Sequence, residues 1–211
     1  MLEILTLILG PVSTNCYLIA DSDSGEAVVI DPAWDGQTIH QEVKMHGWKV
    51  GQLWYTHAHF DHFGGAADLA KLLNPAPLVA LHPLDHELWK NQGGAPNFGL
   101  KIDPGPEPTV DLSKEKVLRL GKIEFEVRHT PGHTPGHVVF YSSTESVVFC
   151  GDLIFLGGVG RTDLPGGDWE TLLKSIKDQV FTLPDGTRLL SGHGEPSTVG
   201  DEKRGNPFVG T

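Results

Sequence analysis

Hydrophobic positions in this chain fall in short runs of about four to eight residues, each bounded by turn-forming residues. Leu2–Leu9, residues 16–20 and residues 27–30 are dense in Leu, Ile, Val and Ala and are separated by Gly10-Pro11 and by the polar stretch 21–25. Runs of that length with those boundaries predict strands, so the chain opens as an antiparallel meander. A helix is predicted over residues 36–46, stopped at Gly47, followed by a short apolar strand over 50–56. Gly64-Gly65 then leads into a helix over 66–73, closed by Asn74-Pro75, and Leu78–Leu81 is again a strand.

The second half has the same rhythm. Residues 116–120 and 123–128 predict a hairpin around Gly121-Lys122, residues 138–141 and 146–150 two more strands, 169–180 a helix and 187–190 a final strand. Residues 91–111 are rich in Gly and Pro, and in a chain of this length they predict a functional loop over a site rather than a linker. Antiparallel strands followed by helix and strand, twice over, predict two sheets packed face to face with helices outside, an α/β architecture.

Composition narrows the class. A chain of 211 residues can bury a core as one large domain without disulfides. No apolar run reaches the ~18 residues of a membrane span, and Glu3 stands where a signal peptide would carry basic residues, so a cytoplasmic protein is expected. Cys16 and Cys150 lie inside apolar stretches and are expected as buried thiols; two cysteines are too few for a zinc-finger cluster. A net charge of -11 with no cluster of Lys and Arg argues against nucleic acid as a partner.

The chemistry is concentrated after the strand at 50–56. His57, His59, Asp61 and His62 place four metal-competent side chains within six residues. Alternate positions of an extended chain point the same way, so His57 and His59 can converge on one ion, while Asp61 and His62, past the turn, can face a second. Crowded imidazoles and a carboxylate would repel and titrate unless a cation held them, which favours a metal site over a decorated loop. Four ligands cannot close two coordination spheres. The remaining ones are expected at other strand ends, where glycine adjoins a polar residue: the loop His129 to His137 with His133 at its middle, Gly151-Asp152, and Gly192-His193-Gly194. Spacing alone leaves His129, His133 and His137 open. His82 and His86, four apart, could clasp a metal on a helix, but nothing else converges on them; His40 and His46 read as helix-face residues.

The segments 56–62 (Thr-His-Ala-His-Phe-Asp-His), 130–137 (Thr-Pro-Gly-His-Thr-Pro-Gly-His), Gly151-Asp152 and Gly192-His193-Gly194, in that order, resemble the metallo-β-lactamase superfamily. Within it the chain is similar to the glyoxalase II (hydroxyacylglutathione hydrolase) branch. The resemblance implies a four-layer αββα fold with two mixed sheets, and a single domain over 1–211. It also implies that His57, His59 and His133 bind one metal, that Asp61, His62 and His193 bind the other, and that Asp152 bridges them. His129 and His137 would then make supporting hydrogen bonds. The cofactors implied are two divalent ions, zinc first, with iron and manganese compatible with the same ligands. The common zinc β-lactamases carry a cysteine where this chain has Asp152, which disfavours β-lactamase activity. Nucleic-acid-processing members carry an inserted domain for which there is no room, and flavodiiron proteins usually replace His59 by glutamate.

Two divalent ions bring four positive charges against three negative ones from Asp61, Asp152 and a bridging hydroxide. Such a field lowers the pKa of bound water from about 15.7 toward 7 and polarises an acyl carbonyl. Asp61 is the candidate for orienting the hydroxide. No general acid is evident, and because a thiolate leaves without prior protonation, a thioester suits these residues better than an amide. The expected activity is thus a binuclear metallo-hydrolase, a thioesterase of glyoxalase II type acting on a small anionic thioester. Arg161 could bind a substrate carboxylate or pair with Asp163. In glyoxalase II the corresponding loop carries a lysine and, two positions on, a tyrosine that contact glutathione; here Asp163 replaces the tyrosine. Residues 200–207 resemble the stretch before the helices that complete the glutathione site, and the sequence ends at Thr211, so weak discrimination for glutathione is expected. The competing expectation is a mononuclear iron persulfide dioxygenase using His57, His133 and Asp152. It shares Gly160 to Asp163 but tends to read His-Asp-Tyr where this chain has His193-Gly194-Glu195. A metal-binding scaffold without catalysis is the third possibility.

Overall fold

A computed structural model describes residues 1–210. The first sheet has the order β1-β2-β3-β4-β5-β6, formed by Leu2–Leu9, Thr14–Asp21, Glu26–Ile30, Lys49–Trp54, Leu78–Leu81 and Val110–Asp111. Its first three strands are the antiparallel meander and the last three run parallel to β3. The second sheet has the order β14-β13-β10-β9-β8-β7, with β7 Val117–Leu120, β8 Ile123–His129, β9 Val138–Ser142, β10 Val147–Gly151, β13 Arg188–Ser191 and β14 Ser197–Thr198. Only β10 and β13 are parallel in it. A small hairpin, β11 Ile154–Phe155 and β12 Gly158–Val159, stands apart. Both sheets are mixed, as expected.

Period-two alternation explains the layers. In β2, Tyr17 and Ile19 face the second sheet, joining Trp54 of β4 against Phe125, Phe140 and Phe149. Leu18 and Ala20 face outward, under helices α1 (Gly36–Met45) and α3 (Ala66–Leu72) through Ile39, Val43 and Leu69. On the far side Val139, Val148 and Cys150 meet Leu172, Ile176 and Val180 of α5 (Trp169–Ser175) and its continuation. Both faces of each central strand are therefore buried, which is why these strands read as nearly continuous apolar runs. The order helix, sheet, sheet, helix is the four-layer α/β arrangement.

Several boundaries shift. The strand expected to reach Thr56 ends at Trp54, and residues 60–63 form one helical turn, α2 (Phe60–Phe63). The helix expected over 169–180 is helical throughout but widens to a π-turn over Ile176–Val180. A further helix, α6 (Val199–Gly205), was not expected: it is mostly charged and buries only Val199, Gly200 and Glu202. Within the expected loop 91–111, the tight turns of Gln92–Phe98 approach the site, whereas Gly105 packs on Ala67 and Val110 pairs as a strand in β6. Both cysteines are free and buried. No helix among the described residues is long and apolar enough to cross a membrane.

Candidate metal centre

Each candidate side chain stands where a strand stops. His57 and His59 follow β4, Asp61 and His62 lie in α2, His133 is in the loop between β8 and β9, Asp152 follows β10 and His193 follows β13. The two sheets deliver these ends to one edge of the sandwich. The start of β2 pins the His193 loop: Asn15 Nδ2 donates to Ser191 O at 3.0 Å and to Gly194 O at 2.9 Å, and Tyr17 Oη donates to Ser191 O at 2.6 Å. Gly192 has no alternative, because a Cβ there would collide with Asp152 Oδ1.

All seven residues converge. Three overlapping groups, His57/His59/His133, His57/His62/Asp152 and Asp61/His62/His193, each bring their ligand atoms within 4.8 Å of one another. His59 Nδ1 lies 2.8 Å from His133 Nε2. Asp152 stands between the halves, with Oδ2 3.6 Å from His133 Nε2 and 3.5 Å from His193 Nε2, and Oδ1 3.3 Å from His62 Nε2. Asp61 Oδ2 is 3.4 Å from His62 Nε2 and 3.3 Å from His193 Nε2. His57 Nε2, His62 Nε2 and Asp152 Oδ1 are buried without a hydrogen-bond partner. Orphaned buried donors and acceptors are costly in an ordinary core, and three of them aimed at one point fit divalent cations.

The electrostatics separate the two halves. Burial, reinforced by neighbouring imidazoles, holds His57 well below its ordinary pKa and His59 down to about 3; burial also lowers His133. Burial opposes charge on His62 as well, but the carboxylates of Asp152 and Asp61 override it and raise His62 well above the usual value. His193 likewise rises to about 9 against burial, through its contacts with Asp152 and Asp61. Despite burial, Asp61 falls to about 2 and Asp152 well below the carboxylate range, each beside His62 and His193.

Two carboxylates that sequence reasoning missed brace the ligands. Asp31, just past β3 and at φ 49°, accepts from Thr56 N (2.8 Å), Thr56 Oγ1 (2.7 Å) and His62 Nδ1 (2.9 Å). Asp85 accepts from Ala58 N (3.0 Å), Thr134 Oγ1 (2.7 Å) and Gly136 N (2.6 Å), tying the His57–His59 segment to the His133 loop. Burial raises the Asp85 carboxyl, which those donors partly offset. The available signal was the position of Asp31 at a strand end, like the ligands themselves; Asp85, inside a 3-10 turn, offered none.

The other histidines separate clearly. His137 is fully buried, with Nδ1 2.9 Å from Thr130 Oγ1 and Nε2 accepting from Asp152 N at 3.1 Å, so it holds the backbone of Asp152. His129 reaches Pro135 O and stacks on His82 at 4.3 Å. His82 accepts from Leu84 N, and His86 begins α4 (His86–Lys90). His40 and His46 lie on or at the end of α1. Arg161 lines the cleft beside the centre, and its guanidinium makes two 2.7 Å contacts with Asp163. Its carbonyl accepts from His133 Nδ1 at 2.7 Å, which directs Nε2 of that ring to the centre.

Residues 9–193 match the family model of the metallo-beta-lactamase superfamily. The chain is 37% identical over 197 residues to a hydroxyacylglutathione hydrolase, GloC, of Haemophilus influenzae, covering 92% of each. Among solved structures it is similar to BLEG-1, a B3 metallo-beta-lactamase, with TM-score 0.91 and 36% identity over 99% of both chains. It is also similar to TTHA1623 in a di-iron-bound form, with TM-score 0.87 and 40% identity, covering 97% of this chain and 100% of that one.

Proposed function

The chain belongs to the metallo-β-lactamase superfamily, and we propose that within it the chain is a binuclear thioester hydrolase of glyoxalase II type. The observation that carries this reading is Asp152, one buried carboxylate in reach of both sets of histidines: His133 of the first lies 3.6 Å from Oδ2, and His62 and His193 of the second lie 3.3 Å from Oδ1 and 3.5 Å from Oδ2. In this reading His57, His59 and His133 hold one ion, Asp61, His62 and His193 the other, and Asp152 both. When bound, the ions supply a water that ionises near neutral pH and a Lewis acid for the acyl carbonyl. Zinc suits the donors, and the di-iron form of TTHA1623 puts iron beside it.

The chain's own residues order the rest. Asp61, steadied by Thr14 Oγ1 at 3.0 Å, orients the attacking water. Water oxygen bonds to the acyl carbon, the carbon–sulfur bond breaks, and sulfur leaves with the electron pair as a thiolate that needs no prior proton. Of the two protons of water, one is taken up by the thiolate after it leaves and the other passes to solvent, so the products are a carboxylate and a thiol. Arg161 serves as an anchor for an anionic substrate. Its exposed pairing with Asp163 is of a kind worth little in water, so a substrate carboxylate can displace it.

Release of free thiol from a thioester panel, followed with and without oxygen, tests the proposal. Equal turnover in both supports hydrolysis; oxygen uptake with glutathione persulfide and no thioester turnover favours the mononuclear dioxygenase. The likeness to BLEG-1 supports a second reading, β-lactam hydrolysis, which requires an amine to leave; turnover of a β-lactam faster than any thioester would establish it.

A further inference from the structure

The cleft above the centre has a volume of about 250 Å³, more than the ~150 Å³ that accepts benzene. Apart from the candidate ligands, its walls are chiefly apolar: Val12, Phe60, Leu88, Phe98, Leu164 and Pro165. Arg161 is the one basic residue other than histidine that lines it among the described residues, and Asp163 engages its guanidinium. Val12 and Phe98 are each about half exposed, at 49% and 50%. Scattered apolar side chains at a surface are ordinary, but these converge on one opening.

The wall is also fixed relative to the reacting centre. Phe98 packs on Phe60 at 5.4 Å, and Phe60 precedes Asp61 directly. Gly93, at φ 60°, lies so close to Phe60 N and Ala58 O that a Cβ would not fit, which clamps the Gln92–Phe98 turns onto the ligand run. Leu88, Gly94, Asn97 and Pro165 line both this cleft and an outer groove, so the two adjoin at these residues.

Building on the thioesterase reading, we propose that the substrate carries an apolar chain of several carbons on one side of the scissile bond. The chain packs between Phe60–Phe98 and Leu164–Pro165. A wholly polar thioester such as lactoylglutathione would leave that surface uncovered. A fully buried methylene adds up to about fourfold in affinity, and a wall open to water on one side gives less.

The test measures kcat/KM in two series. Acetyl, butyryl and hexanoyl thioesters share one anionic thiol in the first, and acetyl thioesters of progressively longer alkyl thiols make up the second. A rise of roughly tenfold or more is expected along one series, and the series that rises identifies the side of the bond. Phe98→Ala should flatten that rise, whereas Phe98→Leu, which keeps apolar surface, should retain most of it; both should keep the metal content of the parent protein. Two flat series, or lactoylglutathione exceeding every apolar thioester, would overturn the proposal while leaving the thioesterase reading intact. Turnover of no thioester would remove that reading and the proposal together.

Discussion

His57, His59 and His133 sit where burial keeps imidazoles neutral, whereas His62 and His193 face Asp61 and Asp152, which keep them protonated. The two halves of one centre are thus prepared differently. The three-histidine half offers neutral rings to a cation: His57 Nε2 has no partner, and His59 Nδ1 and His133 Nε2 share a hydrogen bond at 2.8 Å that a cation would replace. The second half is an ion-pair network in which protons occupy the places that a cation would take. Metal binding releases protons from such a site, so the halves should fill in order and with different pH dependence.

The largest effect should come from the residue the halves share. Asp152→Ala removes the carboxylate facing His62, His133 and His193, leaves buried charge uncompensated at a cost of about 3–5 kcal/mol of stability in the metal-free protein, and should lower kcat/KM by more than the ~10–100-fold typical of a residue that only supports a ligand. Elemental analysis should show loss from both halves. Loss of one metal only would mean that Asp152 belongs to one half.

Next in size is pH. His193 rises from 6.5 to about 9, so cation binding to the second half must displace its proton at neutral pH, and affinity there should fall about tenfold for each unit below 9 per proton displaced. Metal titration at pH 6.5 and 8.5 should therefore show the second equivalent weakened by at least about 100-fold at the lower pH from His193 alone, and further by the proton on His62, with the first much less affected. The same shifts give the metal-free fold a stability maximum. The folded state binds the His193 proton more tightly than the unfolded chain does, so that contribution is complete below 6.5 and is lost as pH rises through about 9. For His59, lowered to about 3, the unfolded chain holds the proton more tightly, so stability falls as pH drops below 6.5. A melting temperature that changed monotonically between pH 5 and 9 would contradict this assignment of protons.

The braces give a matched pair of smaller effects. Asp31→Asn removes the negative charge and one of the two acceptor oxygens that Thr56 and His62 Nδ1 share, and should lower affinity for the second metal by about 10–100-fold. Asp85→Asn loosens the tie between Ala58 and the His133 loop, and should act by a similar factor mainly on the first. If both variants lose the same metal, the halves are not separately supported. The smallest effect belongs to Arg161→Ala: the side chain is exposed and already paired, so kcat/KM should fall roughly two- to fivefold for anionic thioesters and less for neutral ones. Equal losses on both would mean that the side chain only steadies the loop whose carbonyl holds His133.

What was legible in the sequence followed local rules. Strands, helices and the His57 to His62 run depend on period and spacing; His57 and His59 share one group of side chains and Asp61 and His62 another, with His57 also reaching His62. The choice among His129, His133 and His137 was not local. It depends on Pro135 O, Arg161 O and Asp152 N, which capture the other histidines or orient the middle one. Asp31 and Asp85 were hidden for the same reason: their donors come from segments 25 to 51 residues away. Thr14 and Asn15 lie outside the apolar run that predicts a strand from residue 16, yet they are buried because they hold Asp61 and the His193 loop. Helix α6 was missed because its four consecutive charged residues, Asp201 to Arg204, mask a single buried side with Val199 and Glu202.

The most direct test is thioester turnover measured against metals bound per chain, as metal-free protein is titrated at pH 8.5 under argon. Little turnover is expected up to one equivalent, followed by a rise that saturates at two, with one thiol released per thioester consumed. Full activity at one equivalent, or activity that appears only when oxygen is admitted, would contradict a binuclear hydrolase.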